Sequence, residues 1–258
     1  MSGIVMFIHG AWLTPRVWER FAQRFAACGY TCLAPSWPSL EDIPAQRLRE
    51  APPAALGNLG VGRILAHYQA LIEALPHPPL LVGHCYGGLF VQVLLDRGLG
   101  SAGIAIAPAP PRGVLPGLAA LVRLLPMLTR AGRIVPLSEA QFARHAAQTL
   151  DAAERHREYQ RQVAPAPGRL LLEAALGIGT RIDFGNDRRA PLLLIAGEND
   201  RTIHASTVAA VFRRHRRSVA VSTYRCFPGR SHWLIAEAGW QEVADYALEW
   251  AQSQADCF

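Results

Sequence analysis

The sequence contains no lysine, and all 26 basic residues among its 258 are arginine. This absence excludes catalysis through a lysine Schiff base and the P-loop lysine that contacts nucleotide phosphates. No apolar run reaches the roughly 18 residues that a membrane span requires. Residues 1–10 lack the basic start and the cleavage site of a signal peptide. We therefore expect a cytoplasmic protein with no membrane partner.

Cysteine is scarce and follows no pattern typical of metal sites or disulfide frameworks. The number of cysteines is odd, their spacings match no zinc site, and a reducing compartment keeps such thiols free: Cys28, Cys32, Cys85, Cys226 and Cys257. We expect no metal and no disulfide. No motif surrounds four of the five, which we interpret as structural thiols; the exception is Cys85.

The formal net charge is +6, which raises the question of a nucleic-acid partner. The dense basic cluster adjoins apolar residues at helical spacing and consists of Arg213, Arg214, Arg216 and Arg217. A solvated helix face, with cations near a C-terminus that favours them, accounts for this pattern. The sequence therefore predicts no nucleic-acid partner.

Short apolar strands alternate with amphipathic helices at both ends of the chain. Strand patterns occupy residues 3–8, 30–34, 80–82, 103–107, 191–196 and 218–227. This alternation predicts an α/β fold with a mostly parallel, doubly wound sheet and helices on both faces. Half of the residues are hydrophobic, which is enough for one substantial core.

The alternation breaks after the fourth strand pattern. Prolines punctuate helical patterns at residues 118–128 and 140–150, and no convincing strand is present. We interpret residues 109–189 as a helical lid inserted between two core segments, 1–108 and 190–258.

The residues Gly-His-Cys-Tyr-Gly-Gly at 83–88 lie between an apolar strand and a helix. In that context Gly-x-Cys-x-Gly is the nucleophile-elbow pattern with sulfur in place of the serine oxygen. Glycines two residues to either side let the neighbouring backbone pass close to the turn. The helix N-terminus offers free N–H groups that favour a thiolate and a developing oxyanion. Cys85 is therefore the candidate nucleophile.

A thiol nucleophile requires a base and a group that orients the base. Two loops at carboxyl ends of strands supply candidates: Asp200 or Glu198 after the fifth strand pattern, and His232 after the last. These ends share one edge of a doubly wound sheet, so the side chains can converge. Two other carboxylates precede the fifth strand and lie at the wrong end: Asp183 and Asp187.

With His-Gly-Ala-Trp at residues 9–12, these motifs resemble the α/β-hydrolase superfamily over nearly the whole chain, and within it small esterases and hydroxynitrile-lyase-like members. The resemblance implies that Cys85 is the nucleophile, His232 the base and Asp200 its orienting carboxylate. It also implies an oxyanion hole formed by the backbone N–H groups of Ala11 and Tyr86. Two features depart from the family: cysteine replaces the usual serine, as in dienelactone-hydrolase-like members, and the extra antiparallel strands are missing.

Other motif residues have simpler explanations. Packing or hydrogen bonding accounts for His9 and His84 better than catalysis does. Three tryptophans could line an apolar substrate pocket, although a core position is an equal alternative: Trp12, Trp37 and Trp233.

A cysteine nucleophile restricts the range of substrates, because a thiolate readily attacks an acyl carbon but is also readily expelled from the intermediate. The sequence therefore predicts a cofactor-free enzyme whose small-molecule acyl substrate is an activated ester, a thioester or a lactone. Because a thioester intermediate also reacts with amines and carbanions, an acyltransferase or cyclase is an alternative. Two further alternatives are a cysteine that replaces a native catalytic serine, and a lyase-like or binding member of the fold.

Overall fold

The computed structural model describes residues 3–41, 43–114 and 131–255. The strands of that part of the chain are β1 (Ile4–Ile8), β2 (Thr31–Leu33), β3 (Leu80–His84), β4 (Ala102–Ile106), β5 (Ile134–Val135), β6 (Ala166–Pro167), β7 (Leu192–Gly197) and β8 (Ser222–Phe227). Six of them form one sheet in the order β2-β1-β3-β4-β7-β8, and all neighbouring pairs are parallel.

The α-helices of the described residues are α1 (Glu19–Ala27), α2 (Ala45–Glu50), α3 (Val61–Glu73), α4 (Tyr86–Asp96), α5 (Glu139–His145), α6 (Ala152–Gln162), α7 (Gly168–Ala175), α8 (Ala205–His215) and α9 (Trp240–Ala255). Two short 3-10 turns, Pro15–Trp18 and Ala54–Asn58, precede α1 and α3. None of the described helices is both long and apolar enough to cross a membrane.

The sheet separates two hydrophobic clusters. One contains buried side chains of α3, α4 and α8, and the other contains those of α1 and α9. The central strands β3, β4 and β7 are buried along their whole length, as expected when helices cover both faces of a parallel sheet. The predicted doubly wound α/β sheet with helices on both faces is confirmed.

The chain leaves the sheet after β4 and returns at β7. The described residues in between form α5, α6, α7 and a small antiparallel pair of β5 with β6. The expectation of no strand in this insertion was wrong, because strands of two residues are too short to produce an alternating pattern. Helix α6 was missed since its sequence is mostly polar, and the helix predicted over 140–150 ends at His145. The pattern at 118–128 lies outside the described residues, and the division into 1–108, 109–189 and 190–258 stays a prediction.

The turn between β3 and α4 requires two glycines because backbone atoms crowd both positions. A Cβ on Gly83 would lie 2.2 Å from the carbonyl oxygen of Gly87, and one on Gly87 would lie 2.0 Å from that of Ile8. The start of α4 therefore packs directly on the end of β1. This contact brings the loop after β1 next to the turn that carries Cys85.

We predict that Gly87→Ala destabilises the fold by about 3 kcal/mol or more, because the backbone of β1 or α4 must move to accommodate the methyl group. The matched control is Gly62→Ala in α3, where an added Cβ meets no atom within 4 Å. Helix propensity makes this control neutral or stabilising by up to about 1 kcal/mol. Denaturant unfolding measures both variants. Equal stabilities would contradict the proposed crowding.

Candidate active site

Cys85 lies at the sharp turn between β3 and α4. Its backbone has φ 55° and ψ −118°, outside the regions that residues with side chains usually adopt. Hydrogen bonds hold this conformation: the Cys85 N–H donates to the carbonyl of Ile106, and its own carbonyl accepts from Leu89 and Ala109. The side chain is 5% exposed, at the carboxyl end of a buried strand.

Asp200 and His232 meet at the same edge of the sheet. The Nδ1–H of His232 donates to Oδ2 of Asp200 at 2.6 Å, and Oδ1 of Asp200 accepts the N–H groups of Thr202 and Ile203 at 2.7 Å. Both side chains are almost completely buried. Glu198, the alternative, is exposed and accepts the N–H of Gly229 instead.

His232 lies between a carboxylate and a thiol. Burial alone lowers its pKa, but the charges of Asp200 and Cys85, together with hydrogen bonds to both side chains, raise the pKa to about 10. At neutral pH this environment favours the imidazolium form. The three side chains named by the sequence are therefore in contact along one chain of hydrogen bonds.

Two neutral histidines, His84 and His9, connect the loops of the site through hydrogen bonds. Nε2–H of His84 donates to the carbonyl of His232 at 2.9 Å, and burial together with the charge of His232 holds the pKa of His84 well below its ordinary value. Nδ1–H of His9 donates to the carbonyl of Gly10, while its Nε2 accepts the N–H of Trp37 at 3.4 Å. Burial lowers the pKa of His9 to about 4. Both histidines make the packing and hydrogen-bonding contacts predicted for them.

The loop after β1 packs against the turn that carries Cys85. A Cβ on Gly10 would lie 2.9 Å from the Cβ of Cys85. Within the described part of the chain, no hydrogen bond from the backbone N–H of Ala11 or Tyr86 is present. The next residue, Trp12, has φ 62°, and the insertion holds it from two sides. Its carbonyl accepts the N–H of Ala164 at 2.9 Å, and its Nε1–H donates to Val135.

Two of the three tryptophans named from the sequence lie in the core. Trp37 and Trp233 are each 1% exposed; Trp37 stacks on His9 at 4.6 Å between ring centroids, and Trp233 meets Phe142 edge-on at 4.9 Å. Trp12 is half-buried beside the insertion. A role for the three in lining an acyl pocket stays a prediction.

A buried carboxylate that was not predicted from the sequence, Glu237, lies beside the loop of His232. Glu237, 3% exposed, accepts the backbone N–H of Ser231 at 3.1 Å and its hydroxyl at 2.5 Å, and a further hydrogen bond from the hydroxyl of Thr149. These bonds hold the residue immediately before His232. In the sequence, the one indication of this carboxylate is a single charged residue within the otherwise apolar residues 233–238.

Comparison with known proteins identifies the family of the chain. A family model described as "Alpha/beta hydrolase family" matches residues 5–246. The chain belongs to the alpha/beta hydrolase family. This membership supports a hydrolase enzyme. A search of curated proteins finds no match to this α/β hydrolase.

Solved structures share the fold at low sequence identity. A monoacylglycerol lipase from Paleococcus ferrophilus superimposes with a TM-score of 0.73 at 22% identity, covering 98% of this chain and 95% of the lipase. A thermophilic esterase from Thermogutta terrifontis gives 0.72 at 17% identity, with 98% and 91% covered. An Arabidopsis methylesterase gives 0.70 at 14% identity, with 97% and 99% covered. At these identities the similarity establishes the fold alone.

We predict that Glu237→Ala destabilises the protein by about 3 kcal/mol, because the variant leaves the N–H and hydroxyl of Ser231 without their buried acceptor. The control is Glu242→Ala, which removes an exposed ion pair with Arg230. Exposed pairs contribute about 0–1 kcal/mol. Denaturant unfolding distinguishes the two variants. A cost for Glu237→Ala no larger than that for Glu242→Ala would show that the network does not hold the loop.

Proposed function

We propose that this α/β hydrolase is a cofactor-free enzyme that cleaves activated esters, thioesters or lactones through an acyl-enzyme on Cys85. One observation carries the proposal: Cys85, at a strained strand-to-helix turn, shares a hydrogen bond with His232, whose Nδ1–H binds Asp200. This is the arrangement of nucleophile, base and orienting group that covalent catalysis requires.

In the proposed mechanism, the Cys85 thiolate attacks the acyl carbon while His232 holds the proton. The oxyanion that forms accepts hydrogen bonds from the backbone N–H groups of Ala11 and Tyr86. Neither N–H group donates to another described residue. Collapse of this intermediate breaks the bond to the leaving group, which takes the proton from His232. His232 then removes a proton from water, which attacks the thioester and releases the acid and Cys85.

The leaving group limits the substrate class. A thiolate is a better leaving group than an alkoxide, so the intermediate formed on an ordinary alkyl ester reverts by expelling Cys85. Thioesters, aryl or enol esters and strained lactones have leaving groups that compete with sulfur. We therefore propose small acyl compounds of these classes as substrates, in the cytoplasm.

An acyltransferase or cyclase is the second candidate, and the burial of the site favours it. Cys85 and His232 are each 5% exposed and Asp200 is 2% exposed. A site closed to bulk water protects a thioester until an amine, alcohol or carbanion of the substrate reaches it. Product analysis with an acetyl thioester in the presence and absence of a primary amine separates aminolysis from hydrolysis.

The decisive experiment traps the acyl-enzyme. We expect wild-type protein mixed with 4-nitrophenyl acetate or an acetyl thioester to gain one acetyl group on Cys85 in intact-mass and peptide analysis. Cys85→Ala should lose both the adduct and turnover. The matched control Cys28→Ala, at an exposed free thiol, should retain both. Unchanged turnover in Cys85→Ala would contradict the proposed nucleophile and favour a lyase-like role, whereas absence of both adduct and turnover in the wild-type protein would favour a binding role.

Serine replacement tests whether the site is built for sulfur. Cys85→Ser preserves the turn but removes the thiolate. If the site is built for a thiolate, we expect the variant to lose at least about tenfold in kcat/KM on thioesters, which corresponds to about 1.4 kcal/mol in the barrier. A faster serine variant would mean that cysteine replaces a native serine.

The imidazolium form of His232 predicts fast alkylation of Cys85. We expect iodoacetamide to label Cys85 at neutral pH about tenfold or more faster in the wild-type protein than in His232→Gln, because the variant lacks the cation that favours a thiolate. Peptide mass spectrometry isolates the Cys85 signal. Equal rates in both proteins would exclude the pairing.

The raised pKa of His232 also makes the free energy of unfolding depend on pH. The folded-state pKa of His232 lies above its ordinary value, so the free energy that its charge contributes to folding is fully present below about pH 6.5. That contribution is lost as the pH rises towards 10.

A further inference from the structure

Outside the triad, three arginines from separate segments surround one cavity of about 360 Å³. Arg112 follows β4, Arg181 precedes β7 and Arg214 lies near the end of α8. Gly113, Ile182 and Phe184 also line it, and none of the described lining residues is a carboxylate. The volume lies within the range of small-molecule sites, about 300–1,000 Å³.

The three guanidinium groups have no anionic partner in the part of the chain that the structure describes. No hydrogen bond or ion pair to a carboxylate is found there for the side chains of Arg112, Arg181 or Arg214, whereas Arg24 and Arg169 each bind a carboxylate. In sequence, residues 97–138 contain no acidic residue, so the stretch from 115 to 130 supplies none.

Nearby carboxylates already bind other groups. Asp96 accepts hydrogen bonds from the N–H of Asp183 and the amide of Asn186. Asp183 accepts the N–H of Gly185, and Asp187 accepts that of Val219. Among the contacts of the described residues, none of these carboxylates forms an ion pair with an arginine of the cavity.

The cavity also has an apolar wall. Phe184 and Ile182 are 8% and 6% exposed, and the ring of Phe184 packs edge-on against His215 at 4.9 Å. The guanidinium carbon of Arg214 lies 5.7 Å from the centroid of the Phe184 ring, so the cation is held over the aromatic face. A planar or apolar group can therefore pack beside the charges.

Glycine makes room for two of these arginines. A Cβ on Gly113 would lie 3.3 Å from Nη1 of Arg214, and one on Gly177 would lie 2.7 Å from Cγ of Arg112. Both glycines have positive φ, 86° and 71°. The backbone thus lets both side chains lie close to it beside the cavity.

We propose that this cavity binds an organic phosphate, with the arginines on the phosphoryl oxygens and Phe184 against the organic part. Guanidinium groups bind phosphate through paired, charge-assisted hydrogen bonds, which suits three arginines that bind no carboxylate of the described residues. The cavity is separate from the triad. Helix α8 begins near Asp200, and at 1.5 Å per residue Arg214 lies about 14 Å further along the helix than Ala205.

Titration calorimetry of the whole protein at fixed ionic strength tests the proposal, with phenyl phosphate, inorganic phosphate and phenol as probes. We expect saturable binding of phenyl phosphate, weaker binding of inorganic phosphate and none of phenol. Arg181→Gln and Arg214→Gln should each weaken phenyl phosphate binding about tenfold or more. The matched control Arg213→Gln removes the same charge from the same helix outside the cavity and should change affinity less than twofold.

Absence of saturable binding to wild-type protein, or an equal loss in Arg213→Gln, would overturn the proposal. Equal affinity for phenyl phosphate and inorganic phosphate would overturn the role of Phe184. Thermal unfolding of each variant verifies that the fold is intact. Alkylation of Cys85 by iodoacetamide should be unchanged in all three arginine variants, so a failure of this site is distinguishable from a failure of the proposed catalysis.

Discussion

The contact between the first turn of α4 and the end of β1 determines the geometry of the site. Gly87 lies against the carbonyl of Ile8, which leaves no space for a side chain, and Cys85 takes a strained backbone conformation at the same turn. The strain persists because the hydrogen bonds of the Cys85 backbone reach β4, α4 and the loop after β4. The turn with Cys85 and the loop with Ala11 are consequently held against each other by the fold itself.

The buried ion pair next to this turn is stabilised by its full set of partners. An isolated charge in such a position is costly, but both oxygens of Asp200 accept hydrogen bonds and His232 interacts with Cys85 on its other side. If Cys85 is the nucleophile, a cationic His232 already stabilises the attacking thiolate. A serine in its place would need His232 neutral, and it would also remove the charge of Cys85, which is one of the causes that raise the pKa of His232.

The sequence was sufficient to predict the sheet and the residues that meet at its edge. Apolar strand patterns and the parallel connection rule place the loops with Asp200 and His232 beside Cys85 without any side-chain detail. The sequence marks Glu237 as a lone charge among apolar residues but does not predict its partners, because Thr149 comes from the insertion and only the folded chain brings the two together. The cavity with the three arginines was missed for the same reason. The sequence pattern places Arg214 on a solvated helix face, and Arg112 and Arg181 come close to it only in the folded chain.

The insertion does more than connect β4 to β7, because it contacts each loop of the site. Beside the proposed oxyanion hole, the N–H of Ala164 donates to the carbonyl of Trp12, and the carbonyl of Val135 accepts Nε1–H of Trp12. The carbonyl of Ala146 accepts the N–H of Trp233 next to His232. Thr202, two residues after Asp200, donates to the carbonyl of His145. Since these bonds join the insertion to all three loops, movement of its helices would change the positions of Trp12, Asp200 and His232 together.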